Sequence, residues 1–529
     1  MIFMETAAWA LQILALLFVL IIGVMVAAGV VLFVIDRSQT SDAIRRNYPV
    51  IGRFRHIFSE LGEFFRQYFF AMDREELPFN RAQRDWVKRA SEGQSNTIAF
   101  GSTRNISAPG TPLFVNSPFP PLDDQFAKTE PMMIGPNARV PYVAKSIFNL
   151  SGMSYGAISK PAVLALSRGC AEAGIWMNTG EGGVSPFHLQ GGADLVYQIG
   201  TAKYGVRDQD GNLSDEKLRE IAAHPQVAMF EIKLAQGAKP GKGGILPGEK
   251  VTAEIAAIRG LAVGQDGISP NRHREVNSWA DLLDLVARVR DVSGKPVGIK
   301  AVVAAREPFE ELFAEVLRRG PESAPDFITI DGGEGGTGAA PMPLMDLVGM
   351  SIREALPMVS NLRDSVGLHD RIRLVASGKL VNPGDIAWAM AAGADFVVSA
   401  RGFMFALGYI QALKCNKNTC PTGIATQNPK LFGMLDVDDK AQRVKSFHQE
   451  TLVNISEILS AAGLSHTEQL DRSYMYRRVS ELEIKRFDEI YPYPGHGSLL
   501  SPPYPDPYDL EMTWAEADKY IHKEAETLR

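Results

Sequence analysis

Cysteine is scarce in this sequence. Among 529 residues only Cys170, Cys415 and Cys420 occur, too few and too unevenly spaced for the disulfide framework of a small secreted protein. We therefore expect the folded body in a reducing compartment. The nine histidines form no H-E-x-x-H or H-x-H pair, so no histidine metal site is indicated.

Positive charge is not in excess either. Lys and Arg number 55 against 61 Asp and Glu, for a formal net charge of -6, and the body has no Lys/Arg-rich stripe. This balance argues against a nucleic acid partner. With 45% hydrophobic and 22% charged residues the composition is that of an ordinary globular protein, which excludes wholesale disorder. The length allows two or three domains, or one large barrel with additions.

Charge is absent altogether from residues 8–35. At 1.5 Å per residue a helix of this run exceeds the hydrocarbon core of a bilayer, about 30 Å. We predict a transmembrane helix over 8–35, with a buried core helix as the alternative. No Lys or Arg precedes the run, unlike a signal peptide, and five arginines follow it. By the positive-inside rule the chain is a single-pass inner-membrane protein whose body faces the cytoplasm; these arginines are Arg37, Arg45, Arg46, Arg53 and Arg55.

Two further regions have helical spacing. Residues 36–95 are rich in Arg, Glu and aromatic residues and predict a helical juxtamembrane neck, which either packs on the main domain, the preferred interpretation, or lies on a lipid surface. Residues 431–529 predict a helical C-terminal extension, with helical spacing over 441–459 and an aromatic, proline-rich tail over 491–508.

Short apolar runs that end in Gly, Ser, Thr or a charged residue alternate with helical patterns between these regions. This alternation predicts right-handed βαβ units and a closed (β/α)8 TIM barrel over residues 96–430. The predicted strands are seven clear runs, 148–152, 175–179, 228–233, 297–302, 327–331, 372–377 and 396–400, with a weaker run at 261–268.

Glycines, hydroxyls and cations follow the strands, and in a barrel these positions meet at one mouth. Lys233, Gln236 and Lys239 lie in a glycine-rich loop that forbids a continuing helix. Together with Arg259 they are suited to clamp a dicarboxylate, and Glu181 is suited to bind an amine or imine. The sequence therefore predicts a phosphate- and anion-binding site at the mouth.

Three signals are ambiguous. Lys300 ends an apolar strand and is suited either to stabilise negative charge on a reduced flavin or to pair with Asp331. The glycines at 333, 335 and 338 match a dinucleotide-binding pattern, but prolines follow at once where that fold opens a helix. Cys415 and Cys420 supply two thiolates, too few for a closed zinc or iron–sulfur site, so structural thiols are the better interpretation.

Six ordered motifs carry a specific resemblance. They are Ser151-Gly-Met-Ser-Tyr-Gly-Ala-Ile-Ser159, Asn178-Thr-Gly-Glu-Gly-Gly183, Lys233-Leu-Ala-Gln-Gly-Ala-Lys-Pro-Gly241, Gly244-Ile-Leu-Pro-Gly248, Gly335-Gly-Thr-Gly-Ala-Ala-Pro341 and Asn418-Thr-Cys-Pro-Thr-Gly-Ile-Ala-Thr-Gln427. Over about 95–480 the chain resembles the FMN-binding synthase domain of the glutamate synthase large subunit. More narrowly, it resembles the short membrane-anchored bacterial glutamate synthase-like proteins.

This resemblance implies a barrel that binds FMN and reduces 2-iminoglutarate, formed from 2-oxoglutarate and ammonia or a small amine, to L-glutamate. It implies Lys300 and Glu181 as catalytic residues. The implied 2-oxoglutarate contacts are Glu181, Lys233, Gln236, Lys239 and Arg259. The implied FMN contacts are Ser151, Gly152, Met153, Ser154, Lys300, Gly332, Gly333, Ser377, Gly378, Lys379, Ala400 and Arg401.

The chain departs from the family in two places. The large subunit starts with a glutaminase whose nucleophile is an N-terminal cysteine, whereas this sequence starts Met1-Ile2-Phe3. We therefore expect no glutaminase, with ammonia drawn from solution or a partner. The family also holds a 3Fe-4S cluster by a Cys-x5-Cys-x4-Cys spacing, and here Tyr409 stands at the first position. We predict no cluster, and an unidentified electron donor protein.

Two other functions remain open at this stage. A membrane flavoprotein that oxidises a 2-hydroxy or amino acid and passes electrons to quinone is compatible with the apolar run. A membrane-tethered barrel that binds a ligand without catalysis is a third hypothesis, from a different class.

Overall fold

The computed structural model describes residues 2–122 and 129–501. Residues 123–128 of the predicted barrel region and 502–529 of the predicted C-terminal extension, with the end of its aromatic tail, lie outside the described residues. The chain divides into two compact units, Met1–Ala82 and Gln83–Arg529.

The first unit is helical. Its helices are Ile2–Ser38, Ala43–Asn47 and Ile51–Phe65, followed by a π-helical turn over Arg66–Phe70. The segment Thr6–Ser38 is long and apolar enough to cross a membrane, and its most apolar stretch is not buried. It coincides with the run for which a transmembrane helix is predicted.

The second unit contains a closed barrel of eight parallel strands, which confirms the predicted TIM barrel. In chain order they are β1 (Phe148–Leu150), β2 (Met177–Asn178), β3 (Leu195–Ile199), β4 (Val227–Lys233), β5 (Val297–Val302), β6 (Phe327–Asp331), β7 (Arg373–Ser377) and β8 (Phe396–Ser399). Each strand pairs with its neighbour in sequence, and β8 closes on β1 through Ser399 and Leu150. Lys300 on β5 is in register with Lys233 on β4, so both lysines end at the same mouth.

One barrel strand differs from the sequence prediction. The weak run over 261–268 is not in the barrel, because Gly267–Ile268 pairs antiparallel with Ile245–Leu246 in the long segment after β4. The third strand is instead Leu195–Ile199, which was not predicted. It has five residues, one of them Gln198, and is too short and mixed to stand out as an apolar run.

Helices surround the barrel. Those after the strands are Lys160–Ala173, Pro186–Gly191, Asp215–Ala222, Ala253–Arg259, Trp279–Ser293, Glu307–Arg319, Met342–Leu347, Ile352–Ser365, Pro383–Ala391, Arg401–Ala406 and Val437–Ala461; shorter or peripheral ones are Arg81–Ser91, Gly248–Lys250, Pro321–Ser323, Pro429–Phe432, Thr467–Gln469, Arg472–Tyr474 and Phe487–Ile490. Val437–Ala461 packs against Lys160–Ala173, where a Cβ on Gly169 would lie 2.6 Å from the Ala441 carbonyl oxygen. The ring of helices is thus closed by a helix from the predicted C-terminal extension.

A β-hairpin plugs the amino-terminal end of the barrel. Its strands, Met132–Ile134 and Tyr142–Ala144, place Ile134 and Ala144 in an apolar cluster with inward-facing barrel residues, namely Trp176, Val196, Met229, Phe327, Val375, Phe396 and Val398. The opposite, carboxyl-terminal end carries the predicted site. A separate sheet joins Pro112–Phe114 to Met475–Arg478 and Ile484–Arg486, so the described part of the C-terminal extension contains strands as well as helix.

Candidate active site

An ion pair lies where the loops after β2 and β4 meet. The ammonium of Lys233, the last residue of β4, is 3.0 Å from Glu181 Oε2, and it also donates a hydrogen bond to Gln236 Oε1. Both charged side chains are largely buried. Three of the residues predicted to bind the substrate are therefore in direct contact.

Two glycines make room for Glu181. A Cβ on Gly244 would lie 1.4 Å from Glu181 Oε1, and one on Gly200 would lie 2.6 Å from the Glu181 Cβ. Neither glycine has a positive φ, so close approach rather than backbone conformation requires them. The carboxylate is held in one position by backbone on two sides.

Lys239 and Arg259 complete the predicted substrate set. The Lys239 ammonium is buried and donates to the Ala339 carbonyl, 2.8 Å away. Arg259, also buried, donates from Nη2 to Ser154 Oγ at 3.2 Å and to the Tyr155 carbonyl at 3.0 Å. Its Nε–H is buried with no hydrogen-bond acceptor in the protein.

The charges at this mouth act on one another. Burial would raise the pKa of the Glu181 carboxyl, but Lys233, Lys239 and Arg259 together lower it below its usual value, so Glu181 is ionised. Burial lowers the pKa of the Lys239 ammonium to about 8, although Glu181 partly opposes the shift. Burial also lowers the pKa of Arg259. One fixed carboxylate thus lies within the field of three cations.

Lys300 lies on the strand next to that of Lys233, with its ammonium 3.5 Å from Asp331 Oδ2. Asp331 also accepts hydrogen bonds from the Gly237 N–H at 2.9 Å and the Ser377 hydroxyl at 2.8 Å. Burial raises the pKa of the Asp331 carboxyl, but Lys300, these two donors and Arg401 reverse the shift and lower it. The Lys300–Asp331 ion pair, which the sequence left open, therefore forms. The hydrogen bonds of Asp331 also connect β6 to the loop after β4 and to β7.

The residues predicted to contact FMN end up at the carboxyl ends of β1, β5, β6, β7 and β8. Gly333, Gly378 and Lys379 line a cavity of about 440 Å³, together with Glu334 and Arg353. Gly378 has a φ of 127°, which favours glycine. The other predicted cofactor residues on these strand ends and loops are Ser151, Gly152, Met153, Ser154, Lys300, Gly332, Ser377, Ala400 and Arg401.

Arg401 belongs to the same region as this cavity. Its Nη2 donates to the Glu334 carbonyl at 2.7 Å, and burial lowers its pKa to about 10, which leaves it protonated at neutral pH. Burial also lowers the pKa of Lys379. Two cations and glycine-rich backbone therefore lie at or near the cavity, which suits a phosphate group, and Glu334, Asp346 and Asp385 line it as well.

A buried polar network lies one layer below Lys233 and was missed by the sequence prediction. Glu231 Oε1 accepts hydrogen bonds from the Asn178 and Gln198 amides at 2.8 and 2.6 Å, and Oε2 accepts one from the Thr329 hydroxyl at 2.6 Å. A carboxylate only accepts, so both amides must turn their NH2 groups toward Glu231. The sequence feature that could have indicated this network is Glu231 itself, a single acidic residue inside the apolar strand Val227–Lys233.

His273 was also missed. Its Nε2 lies 3.1 Å from the Lys233 carbonyl oxygen, and its Nδ1 is buried without a hydrogen-bond partner in the protein. Burial lowers the pKa of the imidazole, so it is neutral at physiological pH. His273 follows the strand Gly267–Ile268 in an irregular segment, so no helical or strand periodicity in the sequence indicates that its side chain is buried at the site.

The cysteine segment contains a thiol–phenol contact. The Tyr409 hydroxyl lies 3.1 Å from Cys415 Sγ, and Cys420 Sγ lies 3.3 Å from the Thr422 hydroxyl. Buried Lys250 donates to the Cys415 carbonyl at 3.0 Å, which ties this segment to the barrel. Within residues 2–122 and 129–501, no group of three His, Cys, Asp or Glu is placed to hold a metal ion. Cys170 is buried on the helix after β1, and burial raises the pKa of its thiol.

The sequence matches known proteins over most of its length. The family model described as a conserved region in glutamate synthase matches residues 123–465. The glutamate synthase large subunit-like protein YerD of Bacillus subtilis is 38% identical over 513 residues, covering 89% of this chain and 97% of YerD. The archaeal glutamate synthase [NADPH] of Methanocaldococcus jannaschii is 38% identical over 324 residues, and the match covers 61% of this chain and 60% of that enzyme.

Among solved structures, a mutant flavocytochrome b2 with pyruvate bound is similar with a TM-score of 0.42 and 14% identity, covering 80% of this chain and 85% of the other. A mandelate oxidase mutant with an FMN adduct is similar with a TM-score of 0.41 and 16% identity, covering 82% of this chain and 99% of the other.

Proposed function

The chain belongs to the glutamate synthase family of oxidoreductases, and from this membership we propose that it reduces 2-iminoglutarate to L-glutamate or a close analogue. The imine forms when 2-oxoglutarate condenses with ammonia, or a small amine, and releases water. Addition of a hydride to the imine carbon and of a proton to the nitrogen then gives the amino acid. The reaction consumes two electrons, so a reduced donor is required.

The observation that carries this proposal is the group of charges at the barrel mouth. An amino dicarboxylate needs cations for two carboxylates and an acceptor for its nitrogen. Lys239 and Arg259 supply the cations, and the ionised carboxylate of Glu181 supplies the acceptor. Lys233 holds Glu181 in place through Oε2.

The residues at the mouth support FMN as the cofactor. Gly333, Gly349 and Gly378 expose backbone on part of the cavity wall, and Lys379 on the wall and Arg401 near it supply positive charge for a phosphate. Lys300 is suited to the N1/O2 edge of the flavin ring, where a cation favours the reduced form. When bound, reduced FMN supplies the hydride for the imine carbon.

The residues of the chain then have separate tasks. Lys239 and Arg259 hold the substrate carboxylates and fix the imine carbon in one place, which lowers the entropy cost of the transfer. Glu181 holds the imine N–H and stabilises its positive charge. Lys300 stabilises negative charge on the cofactor, and Asp331 keeps its ammonium in position.

Two parts of the reaction lie outside this barrel in our proposal. The ammonia comes from solution or a partner. Electrons come from a separate donor protein. They reach the flavin without an iron–sulfur cluster in this chain, since Tyr409 occupies the first cysteine position and contacts Cys415. The segment Thr6–Ser38 spans the inner membrane once and leaves the barrel in the cytoplasm.

Anaerobic titration of the purified full-length protein tests the proposal. Photoreduced flavin should be reoxidised when 2-oxoglutarate and ammonium are added together, with formation of glutamate, and should stay reduced with either alone. Flavin that stays reduced with both would instead support a ligand-binding barrel. Reduction of the flavin by a 2-hydroxy acid, followed by electron transfer to quinone, would support the dehydrogenase alternative.

A further inference from the structure

The end of the apolar helix carries a buried acid. Asp36 lies in the last turn of Ile2–Ser38 and its side chain is completely shielded from solvent, in a helix whose other described side chains are mostly exposed. Its carboxylate accepts hydrogen bonds from Arg45 Nη2 at 2.8 Å, Arg53 Nη2 at 2.7 Å and the Val50 N–H at 3.0 Å. Two arginines from the neck are therefore clamped onto the end of the apolar helix.

This clamp makes a tight elbow. Arg45 belongs to the short helix Ala43–Asn47 and Arg53 to the first turn of Ile51–Phe65, so both neck helices are bound to the same carboxylate. Gly52 lies between them, and a Cβ there would be 3.0 Å from the Arg45 Cα. The helix Ile51–Phe65 thus begins within hydrogen-bond distance of the last turn of the apolar helix.

An apolar stripe runs along this helix. Ile51, Phe54, Phe58, Leu61 and Phe65 follow one another at spacings of three and four, which places them on one face. Their side chains are all exposed, Ile51 by 71% and Phe58 by 66%. Ring contacts continue the stripe into the next turn, with 5.5 Å between the ring centroids of Phe65 and Phe69.

A polar side flanks the stripe. On an α-helical wheel Ser59 lies about 120° from the centre of the stripe and Arg55 about 80° from it on the same side. Arg66 follows in the π-helical turn. Exposed aromatic rings on one face with arginines beside them are typical of helices that lie in the headgroup region of a bilayer.

We propose that Ile51–Phe70 is an interfacial helix, whose apolar stripe inserts into the same bilayer that Thr6–Ser38 spans. This inference rests on the proposed membrane span. The clamp on Asp36 sets the depth, because it fixes the start of the helix at the level where the apolar helix leaves the hydrocarbon core. The chain is then anchored twice, by one helix across the membrane and one along its surface.

Spin labels on the full-length protein in phosphatidylcholine–phosphatidylglycerol nanodiscs test this inference. Phe58→Cys places a label on the stripe and Ser59→Cys places the matched control on the polar side, both with Cys415→Ala to remove a partly exposed native thiol. The stripe label should collide more often with oxygen, which concentrates in lipid, and less often with a water-soluble nickel chelate than the control. Leu61→Cys, one turn further on, repeats the measurement.

Three outcomes would overturn the inference. Equal accessibility of the two labels to the nickel chelate means that the stripe faces water. A stripe label shielded from both reagents means that protein covers the stripe, either the barrel or a second copy of this chain. If the accessibility of the stripe label to oxygen and to the nickel chelate is unchanged in Asp36→Ala, the clamp does not set the depth, because loss of the carboxylate should release the helix.

Alkaline carbonate extraction separates this inference from the proposed span. A spanning helix keeps the protein, and each labelled variant, in the membrane pellet. Release into the supernatant would contradict the span itself, whereas retention without a depth difference between the labels would contradict only the interfacial helix.

Discussion

Lys233 and Glu181 form an ion pair with 3.0 Å between Nζ and Oε2, at the point where two loops of the barrel mouth meet. Because Lys233 is already neutralised by this carboxylate, it adds little free charge for a ligand. Lys239 and Arg259 are the cations left for a dicarboxylate, and each is buried with a carbonyl or hydroxyl as its protein partner. Anion affinity should therefore depend on these two residues.

Replacing Lys239 tests this directly. Lys239→Met should weaken 2-oxoglutarate binding about 10- to 100-fold, since one charge-assisted hydrogen bond contributes about 1.5–3 kcal/mol. Isothermal titration of the flavin-loaded protein measures the change. Lys242→Met is the matched control, because Lys242 lies in the same loop with an exposed side chain. Equal losses in the two variants would contradict a specific role for Lys239.

The affinity for 2-oxoglutarate should also depend on pH. Burial lowers the pKa of Lys239 from 10.5 to about 8, so the ammonium is charged below pH 8 and loses its proton above it. Binding of a dianion should be constant between pH 6 and 7.5 and weaken progressively above pH 8. Titrations across this range on the parent protein and Lys239→Met check the assignment, because the variant should lose the dependence. A profile that is flat in the parent protein, or the same in both, would contradict it.

Glu231 should fix the orientation of the two amides below the mouth. Glu231→Leu removes the acceptor that the Asn178 and Gln198 amides share and leaves their NH2 groups unpaired, at a cost of about 1–3 kcal/mol for each. We expect a lower melting temperature and weaker flavin binding, measured by thermal unfolding and by flavin fluorescence. Thr329→Val removes one donor and leaves both amides in place, so its flavin affinity should be unchanged. Equal flavin affinity in both variants would contradict the orienting role.

The cysteine segment gives a prediction about iron. As isolated under anaerobic conditions, the protein should contain no stoichiometric iron or sulfide, because Tyr409 supplies a phenol in place of a third thiolate. Tyr409→Cys should bind iron after reconstitution, since it restores three thiolates to this segment. Iron and sulfide analysis with electron paramagnetic resonance measures both. A cluster in the unsubstituted protein would contradict the prediction.

The sequence predicted most of the barrel because its strands are runs of apolar residues with a helical pattern after each one. Val297–Val302 and Phe327–Asp331 have the predicted bounds, while Leu195–Ile199 was missed because Gln198 interrupts its apolar run. The predicted substrate residues come from motifs at strand ends; the structure brings Glu181, Lys233 and Gln236 into contact, and their role in binding stays a prediction.

The hydrogen-bond networks around Glu231 and Asp36 could not be predicted from the sequence. Glu231 and Thr329 are 98 positions apart and meet only because β4 and β6 face the same interior. In the sequence Asp36 is an ordinary acidic residue at a helix end. Its role depends on the fold of the neck, which brings Arg45 and Arg53 to its carboxylate. Such networks depend on tertiary geometry rather than on local pattern.

The central claim is that this barrel reduces the imine of 2-oxoglutarate at a bound flavin. The most direct measurement is a single-turnover reaction of the photoreduced protein with 2-oxoglutarate and ammonium, followed by the flavin absorbance and by glutamate analysis. We predict that the purified protein carries FMN, and that glutamate forms in proportion to the flavin reoxidised. Protein that lacks flavin, or reduced flavin that persists in the presence of both substrates, would contradict the account.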